Sequence, residues 1–589
     1  MRAALTTLKI VAERRHARSG ARARVRAFAA GLGAAAICLM GAPVALASHS
    51  QVSILQDDVN LLRNPGPMLQ QMRHIGVEMV RVTVRWSSVA PVAGSRHRPR
   101  FDASNPNAYP AANWAPYDTV VRDAEADGIK VLFVPSGFAP LWAQGPSPGR
   151  YAAHYRVYEA FEPSAGQYGQ FVQALGTRYS GSFRPPGSSS ALPRVSYWEL
   201  YNEPNFGEDI APQAIDGSRV LYAPKLYRAL ADAGWAALGA SGHGSDTILI
   251  GALAARGAQA GPGRLDPQGL PGTYGETKPI QFILGLYCLD PSFHPYRGVA
   301  AAVRGCPTTA VGTSRFRARN PVLFEASGFS DHPYPKGSAP NLADSRDPSY
   351  GEFSELPRLG STLDRIQRIY HSGKRFPLWD TEFGYITNPP NRSHTYVSPS
   401  TAAYYLNWTE YLSWRNPRIA STMQYLLYDP NPTVGTPEYG GFASGLVFYS
   451  SVHGGQPKPG YFAYRMPIFL PSTSTHHGRT LEVWGDVRPA AYAAADTQQP
   501  QYVQIQFAPG ASRSWSTLKT LEVTDPHGYF DVRVAFPSSG SVRIAWTYPP
   551  LDAALGSNLV TGPTDPTGPS GYVEPLAPTT SRTVKVTIT

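Results

Sequence analysis

Cysteine is nearly absent from the chain: 589 residues hold three. A metal site built on four thiolates is therefore excluded. Charge is scarce as well, with Asp, Glu, Lys and Arg making up 16%. Aromatics reach 11% and are spread along the whole length, so the chain is a folded one rather than a solvated coil. After residue 47, no apolar run reaches the roughly 20 residues needed to cross a bilayer. No fixed short repeat occurs, and no Gly-rich phosphate loop follows a strand pattern. The latter argues against a doubly wound nucleotide-binding sheet.

The net charge of +11 is concentrated at one end. Residues 1–47 carry eight basic residues and one acid, Glu13, which leaves +4 for the remainder. That balance points away from nucleic acid as a partner. The same segment reads as an export signal. A basic stretch ends at Arg26, an apolar run covers Phe28–Ala47, and Ala45-Leu46-Ala47 offers a small-x-small cleavage site. A membrane anchor is the competing reading, although Pro43 and the many Ala and Gly residues weaken it. The expectation is a secreted, extracellular protein with no stable membrane insertion after cleavage. Loss of residues 1–47 removes Cys38 and leaves Cys288 and Cys306. An even pair in an exported chain suggests one disulfide, with two separate buried thiols as the alternative.

Strand patterns alternate with helical ones, which predicts a parallel sheet. Eight strand segments occur in order: Gln51–Gln56, Met79–Val84, Lys130–Pro135, Val195–Tyr201, Thr247–Leu253, Gly328–His332, Phe376–Glu382 and Ala420–Leu427. Helical periodicity falls at Pro67–Ile75, Tyr117–Asp127, Ala165–Tyr179 and Leu359–His371. The fold class predicted is α/β: a (β/α)8 barrel over residues 48–473. A long insertion, about 254–326, holds both remaining cysteines and is expected above the catalytic face. From residue 474 to 589 short strands separated by turn residues predict an Ig-like β-sandwich, with 551–575 as a long loop before the last strand.

Two carboxylates stand at strand ends. VSYWELYNEPNF (195–206) is an aromatic strand running into Asn202-Glu203-Pro204, where Pro204 stops the ladder. RFPLWDTEFGY (375–385) places Glu382 at the end of the seventh strand. Both would lie on the rim of a barrel where catalytic groups gather. Glu199, two positions before Tyr201, reads as an interior hydrogen-bonding residue.

With these motifs the chain resembles the clan A retaining glycoside hydrolases over roughly residues 51–470, closest to the family 39 and family 5 types. In that clan an N-E-P glutamate after strand four is the acid/base and a glutamate after strand seven is the nucleophile. The resemblance thus implies Glu203 as acid/base and Glu382 as nucleophile. R-V-T-V-R-W (81–86) is similar to the clan's second-strand arginine segment, which implies that Arg81 contacts the nucleophile and keeps it ionised. S-D-H-P-Y (330–334) is similar to the sixth-strand H-x-Y element, with His332 lining the sugar site and Tyr334 bonded to the nucleophile. P-L-W-A (140–143) is similar to a segment beside the sugar subsite, which implies a substrate-binding role for Trp142. Asn202 is expected on the sugar 2-hydroxyl, and Tyr385, next to a strand end, on a sugar face. A second His-Pro-Tyr at 294–296 has no preceding strand and is not assigned to the site. The insertion departs from the clan pattern, as does MQYLLYDP (423–430), which lacks the eighth-strand Trp of many family 5 members.

As a whole the resemblance implies a double-displacement hydrolase of poly- or oligosaccharides that needs no metal or organic cofactor. A transglycosylase of the same fold and an inactive polysaccharide-binding protein are the alternatives.

Overall fold

The computed structural model describes residues 48, 50–147, 160–215, 218–257, 275–344, 346–432, 442–548 and 579–589. The signal-like segment 1–47 and the loop 551–575 lie outside the described residues.

Eight parallel strands form one sheet. They are β1 (Val52–Gln56), β2 (Met79–Arg85), β3 (Lys130–Ser136), β4 (Tyr197–Glu199), β5 (Thr247–Ala254), β6 (Gly328–His332), β7 (Leu378–Asp380) and β8 (Ser421–Tyr425). The spatial order is β7-β6-β5-β4-β3-β2-β1-β8. β7 and β8 meet through Leu378, whose N–H donates to Arg418 O and whose carbonyl accepts from Ala420 N–H, both at 2.8 Å. The sheet is therefore an almost closed barrel. All eight strands were legible in the sequence; β4 and β7 are shorter than expected because only three residues of each find ladder partners.

A helix follows each strand: α1 (Pro65–His74), α2 (Ala111–Ala126), α3 (Ala165–Arg178), α4 (Ala223–Ala240), α5 (Pro279–Leu286), α6 (Leu356–Ile369), α7 (Pro399–Trp414) and α8 (Pro459–Arg465). The alternation along β2 explains how the strands serve both layers. Val80, Val82 and Val84 are fully buried, while Arg81 and Thr83 between them point into the barrel toward Gln56.

The C-terminal region forms two largely antiparallel sheets. One is β9 (Ile468–Phe469), β11 (Thr480–Asp486) and β14 (Tyr529–Ala535). The other runs β10 (Ser474–Thr475), β17 (Val584–Ile588), β15 (Gly540–Trp546), β12 (Tyr502–Pro509) and β13 (Ser516–Glu522), with β16 (Thr579–Thr580) on β15. Val483, Val503, Ile505, Val542 and Ile544 form their common core. A helix the sequence did not reveal, α9 (Ala490–Thr497), precedes β12.

This region is seated on the N-terminal end of the barrel. Tyr492 OH donates to Val77 O at 2.7 Å, Tyr548 OH to His74 O at 2.5 Å, and His527 Nδ1 lies 2.6 Å from Glu78 Oε1. Gly76 (φ +84°) permits the approach, because a Cβ there would sit 2.3 Å from Arg488 Cβ. Arg488, 4% exposed, pairs with Glu410 of α7 at 2.5 Å.

The disulfide-closed part of the insertion after β5 lies elsewhere than above the catalytic face. Cys288 and Cys306 are bonded, but the loop they close lies along the barrel flank rather than over the rim. Arg228 of α4 donates to Gly305 O at 2.9 Å, and Arg365 of α6 lies 3.7 Å from the Phe293 ring centre. Phe293 and Tyr296 of this loop are half-buried on that flank, while Val299 and Val303 stay exposed. Among the described residues, the stretch ahead of the disulfide loop does reach the rim, where Thr277 N–H donates to Asn205 O at 2.7 Å. Residues 258–274 are not described.

Candidate active site

Arg81 organises the barrel interior. It is fully buried on β2, so each of its N–H groups needs an acceptor. Nε donates to Glu199 at 2.7 Å, Nη1 to Gln56 at 2.6 Å and to Glu382 at 2.5 Å, and Nη2 to Asn202 Oδ1 at 2.8 Å. Burial pulls the guanidinium down, but Glu199 and Glu382 outweigh it and keep Arg81 charged. Glu199 is in turn fixed by Thr381 Oγ1 at 2.8 Å. It is the interior hydrogen-bonding residue the sequence suggested, and burial's push against its charge is overcome mainly by Arg81.

Glu203 and Glu382 face each other across this network. One carboxylate oxygen of each, together with a His332 ring nitrogen, lie within 4.8 Å of one another. Retaining glycoside cleavage calls for two carboxyls about 5–5.5 Å apart. Glu203 sits beyond the end of β4 with φ +35°, and Tyr201 has φ +76°. Two non-glycine residues so close together in the left-handed region mark a backbone held against its preference. What holds it is Asn205, fully buried, which bonds Ala254 O at 3.0 Å, Thr277 O at 2.9 Å and Ala254 N–H at 2.8 Å. The sequence reading missed Asn205, although it lies just past the motif.

His332 has a definite tautomer. Its Nε2 lies 3.4 Å from Arg81 Nη2, which can only donate, so Nε2 carries the lone pair. Nδ1 then bears the hydrogen and points at Glu203 Oε1, 2.9 Å away, with Glu382 Oε2 at 3.6 Å. Burial drives the imidazole pKa down to about 4, so the ring is neutral at pH 7. Tyr334 OH donates to Glu382 Oε2 at 3.1 Å.

The two carboxyls differ in surroundings. Burial pushes Glu203 up to about 7; Arg81 opposes this weakly and Glu208 adds to it. Glu382 is also raised by burial, against the pull of His332 and Arg81. The expectation that Arg81 would simply depress Glu382 therefore needs correction, because desolvation is the larger effect. Still, the direct ion pair and the Tyr334 hydroxyl belong to Glu382. The neighbouring Asp209 carboxyl is pushed up as well, by its burial and by Glu203 beside it.

Trp142 and Tyr385 are not brought to the site. Trp142 is 6% exposed; its indole N–H donates to Pro91 O at 3.1 Å, and its ring packs edge-on against Trp86 and Phe101. Tyr385 is 2% exposed, bonds Ser338 O and packs between Phe383 and Tyr405. A ring without a free face cannot stack on a sugar. The sequence missed Phe442, 44% exposed, whose ring centre lies 5.2 Å from Tyr334 and 5.8 Å from Tyr425. No periodic pattern surrounds it. His294 is exposed and away from the carboxyls, as its context implied.

Glu203, His332 and Glu382 are also a spacing that could admit a metal ion. The charges argue otherwise: Arg81 sits against Glu382, and the His332 nitrogen facing the acids bears a hydrogen. Dialysis against EDTA is expected to leave kcat/KM unchanged; a loss restored by a divalent ion would refute this.

No family model matches the chain, and no curated protein matches it. Solved structures do. A family 39 glycoside hydrolase from the gut symbiont Bacteroides cellulosilyticus WH2 is 15% identical, with 84% of this chain and 82% of that one covered and a TM-score of 0.41. A glucosidase from Croceicoccus marinus is 12% identical over 84% of this chain and 95% of that one, TM-score 0.43. An endo-β-1,4-mannanase from Thermotoga petrophila is 10% identical over 92% of this chain and 98% of that one, TM-score 0.35. Likenesses this distant carry no argument about activity. The chain's own geometry defines a (β/α)8 barrel with a pair of facing carboxyls on its C-terminal rim.

Proposed function

We propose that the protein is a retaining glycoside hydrolase acting outside the cytoplasm. The observation that carries this reading is the pair of rim carboxyls, close enough for double displacement and held in unequal surroundings. Glu382 attacks the anomeric carbon. Glu203, protonated at the start, gives its proton to the leaving oxygen and then takes one from the water that releases the sugar. When Glu382 becomes an ester its charge disappears, Glu203 ionises more readily, and His332 Nδ1–H remains to stabilise the new anion. Asn202, with Oδ1 on Arg81 and Nδ2 3.5 Å from Asp209 Oδ1, presents its remaining amide hydrogen to the 2-hydroxyl. The division into a barrel and an accessory sandwich is part of the proposal, with the boundary ahead of 474, since β9 (Ile468–Phe469) already pairs with β11. The disulfide supports the exported location.

The stereochemical course is the test. Proton NMR of an aryl glycoside digest should show the first-formed sugar with the anomeric configuration of the substrate. Inversion would overturn the mechanism. Added acceptor sugars in the same digest separate hydrolysis from transfer.

Phe442 supplies the sugar-stacking face in this reading. Phe442→Ala is expected to raise KM by about tenfold with little change in kcat, since stacking on an aromatic ring contributes on the order of 1 kcal/mol. An unchanged KM for every substrate cleaved would remove it from the site.

A further inference from the structure

A second built cavity lies on the barrel flank. Its volume is about 400 Å³, within the usual range for small-molecule sites. One wall is the face of α5 that carries Ile280 and Leu284, one turn apart; Leu284 is itself buried, as are Phe282, Ile283 and Leu286. The opposite wall comes from the disulfide-closed loop, with Phe293 and Tyr296. This wall is prevented from collapsing onto the helix. The Cys288–Cys306 bond ties the loop at both ends. Phe293 is held at φ +67°, a conformation bulky residues avoid, and Arg365 occupies its outer side. A side chain kept in that state beside empty apolar space is oriented for an occupant.

The charges of the cavity say what the occupant carries. Arg219 and Arg304 line it, and among its described lining residues there is no carboxylate. Among the described residues Arg219 makes no hydrogen bond or ion pair. Arg304 gives one N–H to Ala300 O and lies 4.3 Å from the Tyr296 ring centre. A neutral sugar needs many hydrogen-bond partners, whereas apart from Arg219, Arg304, Gln281, Tyr296 and Ser349 the walls are apolar or backbone.

We propose that this cavity binds a small aromatic anion, a flat apolar body between α5 and the disulfide loop with its carboxylate, sulfonate or phosphate on Arg219 and Arg304. The site is separate from the rim carboxyls, and the proposal does not depend on the glycosidase reading.

Two naphthylamine probes of similar shape test it on the full chain. One is 8-anilinonaphthalene-1-sulfonate, and the other is its uncharged counterpart N-phenyl-1-naphthylamine. Fluorescence titration should give one saturable site, with the sulfonate bound at least about tenfold more tightly, as charge-assisted hydrogen bonds require. Arg219→Gln with Arg304→Gln should bring the sulfonate down to the level of the neutral probe and leave the latter unchanged. Gln281→Trp, which fills the cavity from its mouth, should abolish binding of both; thermal melts verify that each variant folds. If Gln281→Trp does not fold, the arginine pair alone decides. Equal affinity for the two probes, or unaltered sulfonate binding in the arginine variant, would overturn the proposal. So would a concentration-dependent dimer lost in Gln281→Trp, which would identify a second copy as the occupant.

Discussion

Glu382→Gly is expected to lower kcat/KM by about 10⁴-fold or more, because in the proposed mechanism it removes the atom that forms the covalent intermediate. The fold should survive. Glu382 lies two residues past the β7 ladder, and its loss leaves Arg81 still bonded to Glu199, Gln56 and Asn202. The space vacated lies beside the Arg81 guanidinium and the Tyr334 hydroxyl, which suits a small anion. Azide should therefore restore turnover of an activated aryl glycoside and yield a glycosyl azide of inverted configuration. A variant keeping a tenth or more of wild-type activity without azide would disprove the assignment of the nucleophile.

Glu203→Ala should show a different signature. With a poor leaving group the loss is about 10²–10⁴-fold, the usual contribution of a placed general acid. With a dinitrophenyl leaving group the first step scarcely needs a proton. The glycosyl ester should then accumulate and a burst appear, and azide should give a product of retained configuration. The pH profile provides the second readout. In the proposed cycle Glu203 must start protonated, and burial raises its pKa to about 7. Wild-type kcat/KM should thus fall as the pH rises through about 7, while the variant loses that limb. An alkaline limb that persists in Glu203→Ala would assign the proton to another group.

How much of the fold and site is legible in the sequence depends on where each signal originates. β5 could be read nearly to the residue because a strand buried on both faces leaves an apolar run, TILIGALA, and β2 because its valines alternate with Arg81 and Thr83. Glu203 and Glu382 were legible because each sits where such a run stops. Trp142 and Tyr385 were misjudged because their placement next to a strand end says nothing about which face a ring turns. Both are taken up by neighbouring aromatics. Phe442 and Asn205 were missed for the opposite reason: their roles depend on what chain folding brings alongside, Tyr334 and Tyr425 for one and the end of β5 for the other. The placement of the disulfide loop was misread on the same grounds, since length and position cannot distinguish a loop folded over the rim from one laid along a flank.

The seating of the C-terminal sheets at Val77, Glu78 and His74 fixes a direction. Those residues precede β2, whereas Glu203 and Glu382 come after β4 and β7, so the sheets and the carboxyls occupy opposite poles. Whatever the C-terminal region is fastened to, whether a surface, a matrix or a fusion partner, the carboxyl-bearing rim faces away from it. Immobilising the protein through its last strand should leave large substrates free to approach, and coupling through side chains on the carboxyl-bearing pole should block them.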